Sequence, residues 1–157
     1  MANKLIRLRP VSASTNTPDA GEGRTQKQKI NINGLSDAAG VAVDISDNIY
    51  VADADRHVIF KVRNGSNTSF VIAGKLDTPG YADGRGDNAR FNTPKAITVD
   101  RRGTIWVIDS GNNLVRRVDE NGNVSTVASI PAEVVGDIPG HIAVGASEEI
   151  FITDNTP

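Results

Sequence analysis

Residues 100–128, DRRGTIWVIDSGNNLVRRVDENGNVSTVA, decide the fold. An apolar run at 104–108 ends in Asp109, a turn follows, and a second run at 114–118 leads through Glu120-Asn121-Gly122-Asn123 into a third. Short β-branched runs joined by polar turns read as strands, and Asn-Gly tolerates the positive φ of a tight hairpin. The stretch is therefore a β-meander. The run at 105–109 predicts a strand covered on both faces, as does its upstream counterpart at 49–53. An Asp at a strand end is expected to accept hydrogen bonds from turn N–H groups.

Working outward, the same pattern recurs upstream. Gly40-Val41-Ala42-Val43-Asp44 matches Ala96-Ile97-Thr98-Val99-Asp100, and Ile49-Tyr50-Val51-Ala52-Asp53 matches Ile105-Trp106-Val107-Ile108-Asp109, both at a spacing of 56. His57-Val58-Ile59-Phe60-Lys61-Val62 matches Asn113-Leu114-Val115-Arg116-Arg117-Val118 at the same spacing. A third copy opens with His141-Ile142-Ala143-Val144 and Ile150-Phe151-Ile152-Thr153-Asp154. Asn3-Lys4-Leu5-Ile6-Arg7 echoes the third run of the complete copy, Asn112-Asn113-Leu114-Val115-Arg116. Read circularly, the chain holds two whole units and one unit cut in two.

These units resemble NHL repeats, the blades of six-bladed β-propellers. The resemblance rests on 40–44, 48–53 and 56–58 in one copy and on 96–100, 104–109 and 112–114 in the other. The Gly-rich run GYADGRGDNARF at 80–91, with Pro94 after it, resembles the connection into the next blade. The implied fold is all-β: blades of four-stranded antiparallel sheets, three blades per chain with one split between the termini, and a ring closed by homo-oligomerisation. Segment 1–9 is expected to complete a blade and 10–33 to be an arm or linker, within which 11–15 or 27–33 could be strands and 17–24 a loop. Blade one and its connection occupy 34–92, blade two 93–131, and the first half of the split blade 132–157. The last strands of the two blades are expected at 69–73 and 124–128, and 77–92 is expected to be a projecting loop.

Composition narrows the function classes. The chain has 157 residues, 38% hydrophobic and 23% charged, as a globular protein does, but aromatics are 4%, so the core must be mostly Val, Ile, Leu and Ala. A net charge of −2 gives no overall pull toward nucleic acid or anionic membrane. With no cysteine, disulfides, thiolate metal sites and Cys nucleophiles are excluded. Neither a signal-peptide core nor a membrane-spanning run is visible, so the expected location is the cytoplasm, or a virion if the source is viral.

Three blades are half of a six-bladed circle, and a radial array must close or leave its end faces wet. The expectation is a homodimer in which Ile142, Val144, Ile150 and Ile152 of one copy meet Leu5, Ile6, Arg7 and Leu8 of another, restoring the cut sheet. The expected role is a non-enzymatic structural module that interacts with itself and with other structural proteins. Coding economy suggests a phage virion component, a tail or capsid attachment. No cofactor, metal or catalytic residue is assigned.

Two alternatives are weighed. Arg7, Arg9, Lys61, Arg63, Arg116 and Arg117 put basic residues on the third strand of every unit, where a ring could gather them into an RNA-binding belt. Against this stand the acidic net charge and the scarcity of aromatics for base stacking, with Tyr50 and Trp106 expected in the core. Some propellers that resemble this fold are metal-dependent hydrolases or lyases, so Asp44, Asp53, Asp100 and Asp109 are weighed as hard-cation ligands. Their recurrence once per unit instead favours a turn-capping role. His57 sits where the other copy has Asn113 and is expected in a turn, and His141 has no acidic residue spaced to pair with it.

Overall fold

In a computed structural model, residues 5–10, 25–131 and 140–153 are described. The possible strand at 11–15, the loop at 17–24, Lys4 and Asp154 lie outside them. Among the described residues, thirteen strands form four antiparallel sheets. β3 (Ala38–Val43), β4 (Ile49–Asp53), β5 (Val58–Val62) and β6 (Ser69–Ala73) make the first blade in chain order. β8 (Pro94–Val99), β9 (Ile105–Asp109), β10 (Leu114–Val118) and β11 (Asn123–Ser129) make the second. A two-residue strand, β7 (Gly84–Arg85), adds a fifth edge to that sheet by pairing with β11.

The periodicity is kept to the level of irregularities. The register shifts between Ala38 and Gly40 in one blade and between Pro94 and Ala96 in the other. A second shift falls between Ile59 and Phe60, and again between Val115 and Arg116. Each pair is 56 residues apart. Such bulges raise local twist, which radial blades need.

At the two ends stand two-stranded sheets. β1 (Leu5–Pro10) pairs with β2 (Thr25–Ile30), from Leu5 opposite Ile30 to Pro10 opposite Thr25. β12 (Ile142–Val144) pairs with β13 (Ile150–Ile152). Of the two strands weighed within 10–33, the one at 27–33 forms at 25–30, so this part of the segment is no arm or linker: residues 5–10 offer it a ladder, and its Ile30, with Ile32 beyond, is buried on the first blade.

The core is three apolar layers between consecutive sheets. Ile30, Ile32 and Leu35 cover one face of the first blade at Ile49, Val51, Val58 and Phe60. Tyr50, Ala52, Ile59, Phe91, Ile97 and Val107 fill the layer between the blades. Trp106, Ile108, Val115 and Ile130 pack with Ile142, Val144 and Ile152 in the third layer. β4 and β9 are buried at all five positions, as strands covered on both faces should be.

The connection between the blades departs from expectation. Residues 77–92 do not project as a loop. The Gly86 N–H bonds to the Gly122 carbonyl, Gly74 N–H to the Gly86 carbonyl, and Ala89 and Phe91 are fully buried. An aromatic inserted between two blades and a strand added to the outer edge hold the segment down.

Candidate interaction site at the ends of the blade array

Five aspartates set the shape of the blades, and all have their carboxylates occupied by hydrogen bonds. Asp44 Oδ1 accepts the N–H groups of Ser46 and Asn48, both at 2.9 Å, and Oδ2 accepts the Tyr50 hydroxyl at 3.0 Å. Asp100 repeats this with Arg102, Thr104 and the indole N–H of Trp106, and Asp119 with Asn121 and Asn123. Burial works against ionisation of Asp44 and Asp119, yet the bonds donated by Asn48 and Asn123 outweigh it and hold both carboxyls below their usual range. Burial, and then the bond to Asp44, push the Tyr50 phenol up.

Asp53 and Asp109 close the other end of the sheets. Asp53 accepts from the Ser36, Asp37 and Arg56 N–H groups, and Asp109 from the Asn92 N–H at 2.7 Å and the Asn112 amide at 2.7 Å. Burial pushes the Asp109 carboxyl up, opposed by these donors and by Arg116. The turn-capping role expected from recurrence describes Asp44 and Asp100; Asp53 caps its turn only through the Arg56 N–H, and both Asp53 and Asp109 chiefly hold the segment that precedes their blade. Among the described residues, no group of three or more His, Asp or Glu is placed to hold a metal ion.

His57 adopts φ 60° and its Nδ1 accepts the Thr93 N–H at 2.9 Å, while Asn113 takes φ 54° at the equivalent position. Both are left-handed turn residues. His141 borders a cleft of about 440 Å³ at the starts of the inner strands, lined also by Gly40, Val41, Lys95 and Ala96. Among the described residues, no carboxylate lines that cleft.

The basic belt is broken by Arg116. Neighbouring residues on a strand point to opposite faces, so Arg116 and Arg117 cannot both line one surface. Arg116 is fully buried, with Nη1 2.8 Å from Asp109 and 3.0 Å from the Arg90 carbonyl, and Nη2 2.9 Å from both Asp83 and the Ala82 carbonyl. Its guanidinium also lies over the Phe91 ring at 5.1 Å. It staples the connection to the second blade. Of the others, Arg117 is exposed, Lys61 rests over the Tyr50 ring and Arg63 over the Phe70 ring. Arg7 and Arg9 lie on β1. The signal that could have exposed the error is the two-residue period of the strand itself.

The joint residues fall at the two ends of the array. Leu5, Ile6, Arg7 and Leu8 lie on β1, and Ile142, Val144, Ile150 and Ile152 on β12 and β13. Residues 5–10 pair with their own β2, and not with the carboxyl-terminal sheet. Among the described residues, β1 and β13 each have one edge with no strand on it. One hairpin thus supplies the first two strands of a blade, and the other stands where the last two would be.

No protein-family model matches the chain. It is 35% identical to human NHL repeat-containing protein 2 over 92 residues, which cover 57% of this chain and 12% of that one. It is 29% identical to chicken teneurin-1 over 101 residues, 55% of this chain and 4% of that one. The chain thus spans a small part of these relatives. Among solved structures, an auxiliary nutrient binding protein from Bacteroides thetaiotaomicron superposes with a TM-score of 0.64 at 17% identity, over 82% of this chain and 38% of that one. Virginiamycin B lyase from Staphylococcus aureus superposes with a TM-score of 0.59 at 12% identity, over 83% and 39%. At such identities the likeness is one of fold, that of a β-propeller.

Proposed function

Because the chain is a run of NHL-type β-propeller blades, we propose that it is a non-enzymatic protein-interaction module whose two half-blades pair between copies to close a ring. The observation that carries this is the complementarity of the end sheets. β12 and β13 are an inner half-blade with a free edge on β13, and β1 and β2 are an outer half-blade with a free edge on β1. Joined edge to edge, they make one four-stranded sheet equal in strand number to the first blade. Unpaired edges attract strands, and pairing between copies removes both hazards at once.

Two copies give two equal joints, the closed arrangement that twofold symmetry allows. The ring then presents its turns and connections to other proteins. A non-enzymatic reading is favoured by the hydrogen-bonded aspartates and the turn-bound His57. Coding economy alone points to a virion setting, and no described residue adds to it. The test is the mass of the 157-residue chain in solution by light scattering. Twice the chain mass is expected, and a compact monomer at micromolar concentration overturns the reading.

A further inference from the structure

We infer that the specific contact in this assembly, resting on the ring reading above, is Phe151 of one copy seated on Val41 and Val43 of a second copy. The internal repeat itself identifies the missing partner. Position by position, Tyr50, Trp106 and Phe151 occupy the same place on the second strand of successive units. Tyr50 is 1% exposed, in the layer that holds Ile97 and Val99 of the next blade. Trp106 is 2% exposed, in the layer that holds Ile142 and Val144 of the next sheet. Phe151, the third aromatic of the series, is 59% exposed.

The receiving side shows the same vacancy in reverse. Val41, Ile97 and Ile142 are equivalent on the inner strand, as are Val43, Val99 and Val144. Ile97 and Ile142 are both 8% exposed because a preceding blade covers them, whereas Val41 and Val43 are each 53% exposed. They stand opposite Val51 and Ile49 and so share the face on which Ile30 and Ile32 lie. The outer hairpin covers that face as far as Ile49 and Val51 and leaves Val41 and Val43 half-exposed at its inner edge. An inner half-blade is what would fit there, and β12 with β13 is an inner half-blade with a bare aromatic.

The chemistry of the third unit agrees. Tyr50 and Trp106 each give a hydrogen bond to the Asp that opens the turn, Asp44 and Asp100. In the third unit Gly145 replaces that Asp, and Phe151, with no polar group, replaces the aromatic donor. A wholly apolar contact between Phe151 and two valines leaves no polar atom to satisfy.

The chain lacks cysteine, so engineered thiols report the contact without background. Val41 and Phe151 face away from each other across both blades, so a disulfide between them must join two copies. Chains carrying Val41→Cys mixed with chains carrying Phe151→Cys and treated with an oxidant should give a covalent dimer. A Tyr81→Cys chain, whose thiol would stand exposed on the connection, should not link to Phe151→Cys. Phe151→Asp should weaken self-association by roughly 10- to 100-fold, the fold-change from exposing one aromatic, and its circular dichroism should match that of the parent. A parent dimer whose Phe151→Asp variant associates equally well, or which gives no crosslink, overturns this contact and leaves the ring standing. A parent monomer overturns the ring. Chains that close only with further blades of a longer polypeptide would give that monomer.

Discussion

Replacing Arg116 with Met would probe how the second blade is held together. The guanidinium is fully buried and donates four hydrogen bonds, to Asp109, Asp83 and the carbonyls of Ala82 and Arg90, at 2.8 to 3.0 Å. Met keeps much of the length and volume but donates nothing. Asp109 would be left as a buried carboxylate with only the Asn92 N–H and the Asn112 amide. Removing one partner of a buried pair costs about 3–5 kcal/mol. For a chain of this size that is a fall in Tm of roughly 6–20 °C. The sign of the pH dependence is also set. Burial already pushes the Asp109 carboxyl up, with Arg116 opposing, so without Arg116 it rises further. A folded-state pKa above the unfolded value gives stability that is present in acid and lost as pH rises through the folded pKa. The deficit of the variant should therefore grow as pH rises from about 4, the ordinary carboxylate value, to about 7. Thermal unfolding of parent and variant at both pH values checks this. A loss below about 1 kcal/mol, or a deficit that does not change with pH, would refute the idea that Arg116 compensates a buried charge.

Three further outcomes are expected. Gly40→Ala should destabilise by about 1–3 kcal/mol in urea unfolding, although the equivalent residue of the next blade is Ala96, because a Cβ at Gly40 would lie 2.4 Å from the Lys95 carbonyl oxygen. Asp44 and Asp119 are held below their usual range, so the stability they confer is present above the unfolded value and is lost as pH falls through the folded one. Asp44→Asn should then flatten the acid limb of a stability profile below about pH 4, and an unchanged limb would count against the turn's contribution. Single-stranded RNA at about 150 mM salt should give no gel shift, since Arg116 is buried and the net charge is −2; a clear shift would reopen the basic third strands as an interface.

The blades are written locally in the chain. Apolar runs of strand length, Asn-Gly turns and an offset of 56 residues are local properties, and they located β3 to β6 and β8 to β11 within a residue or two. They also foretold the turn-capping of Asp44 and Asp100, whose carboxylates bond N–H groups two and four residues on, but not the bonds by which Asp53 and Asp109 hold segments about 17 residues away. Tertiary structure alone decided which basic residues face water. Arg116 is distinguished from Arg117 only by the face it takes, and its partner Asp83 comes from a connection 33 residues away. The same holds for the partner and bounds of β2, read only as a possible strand at 27–33 and fixed at 25–30 by the ladder that residues 5–10 give it. It holds most of all for Val41, Val43 and Phe151, ordinary core residues in the pattern. Their exposure follows from where neighbouring sheets end, and no local run of residues records that.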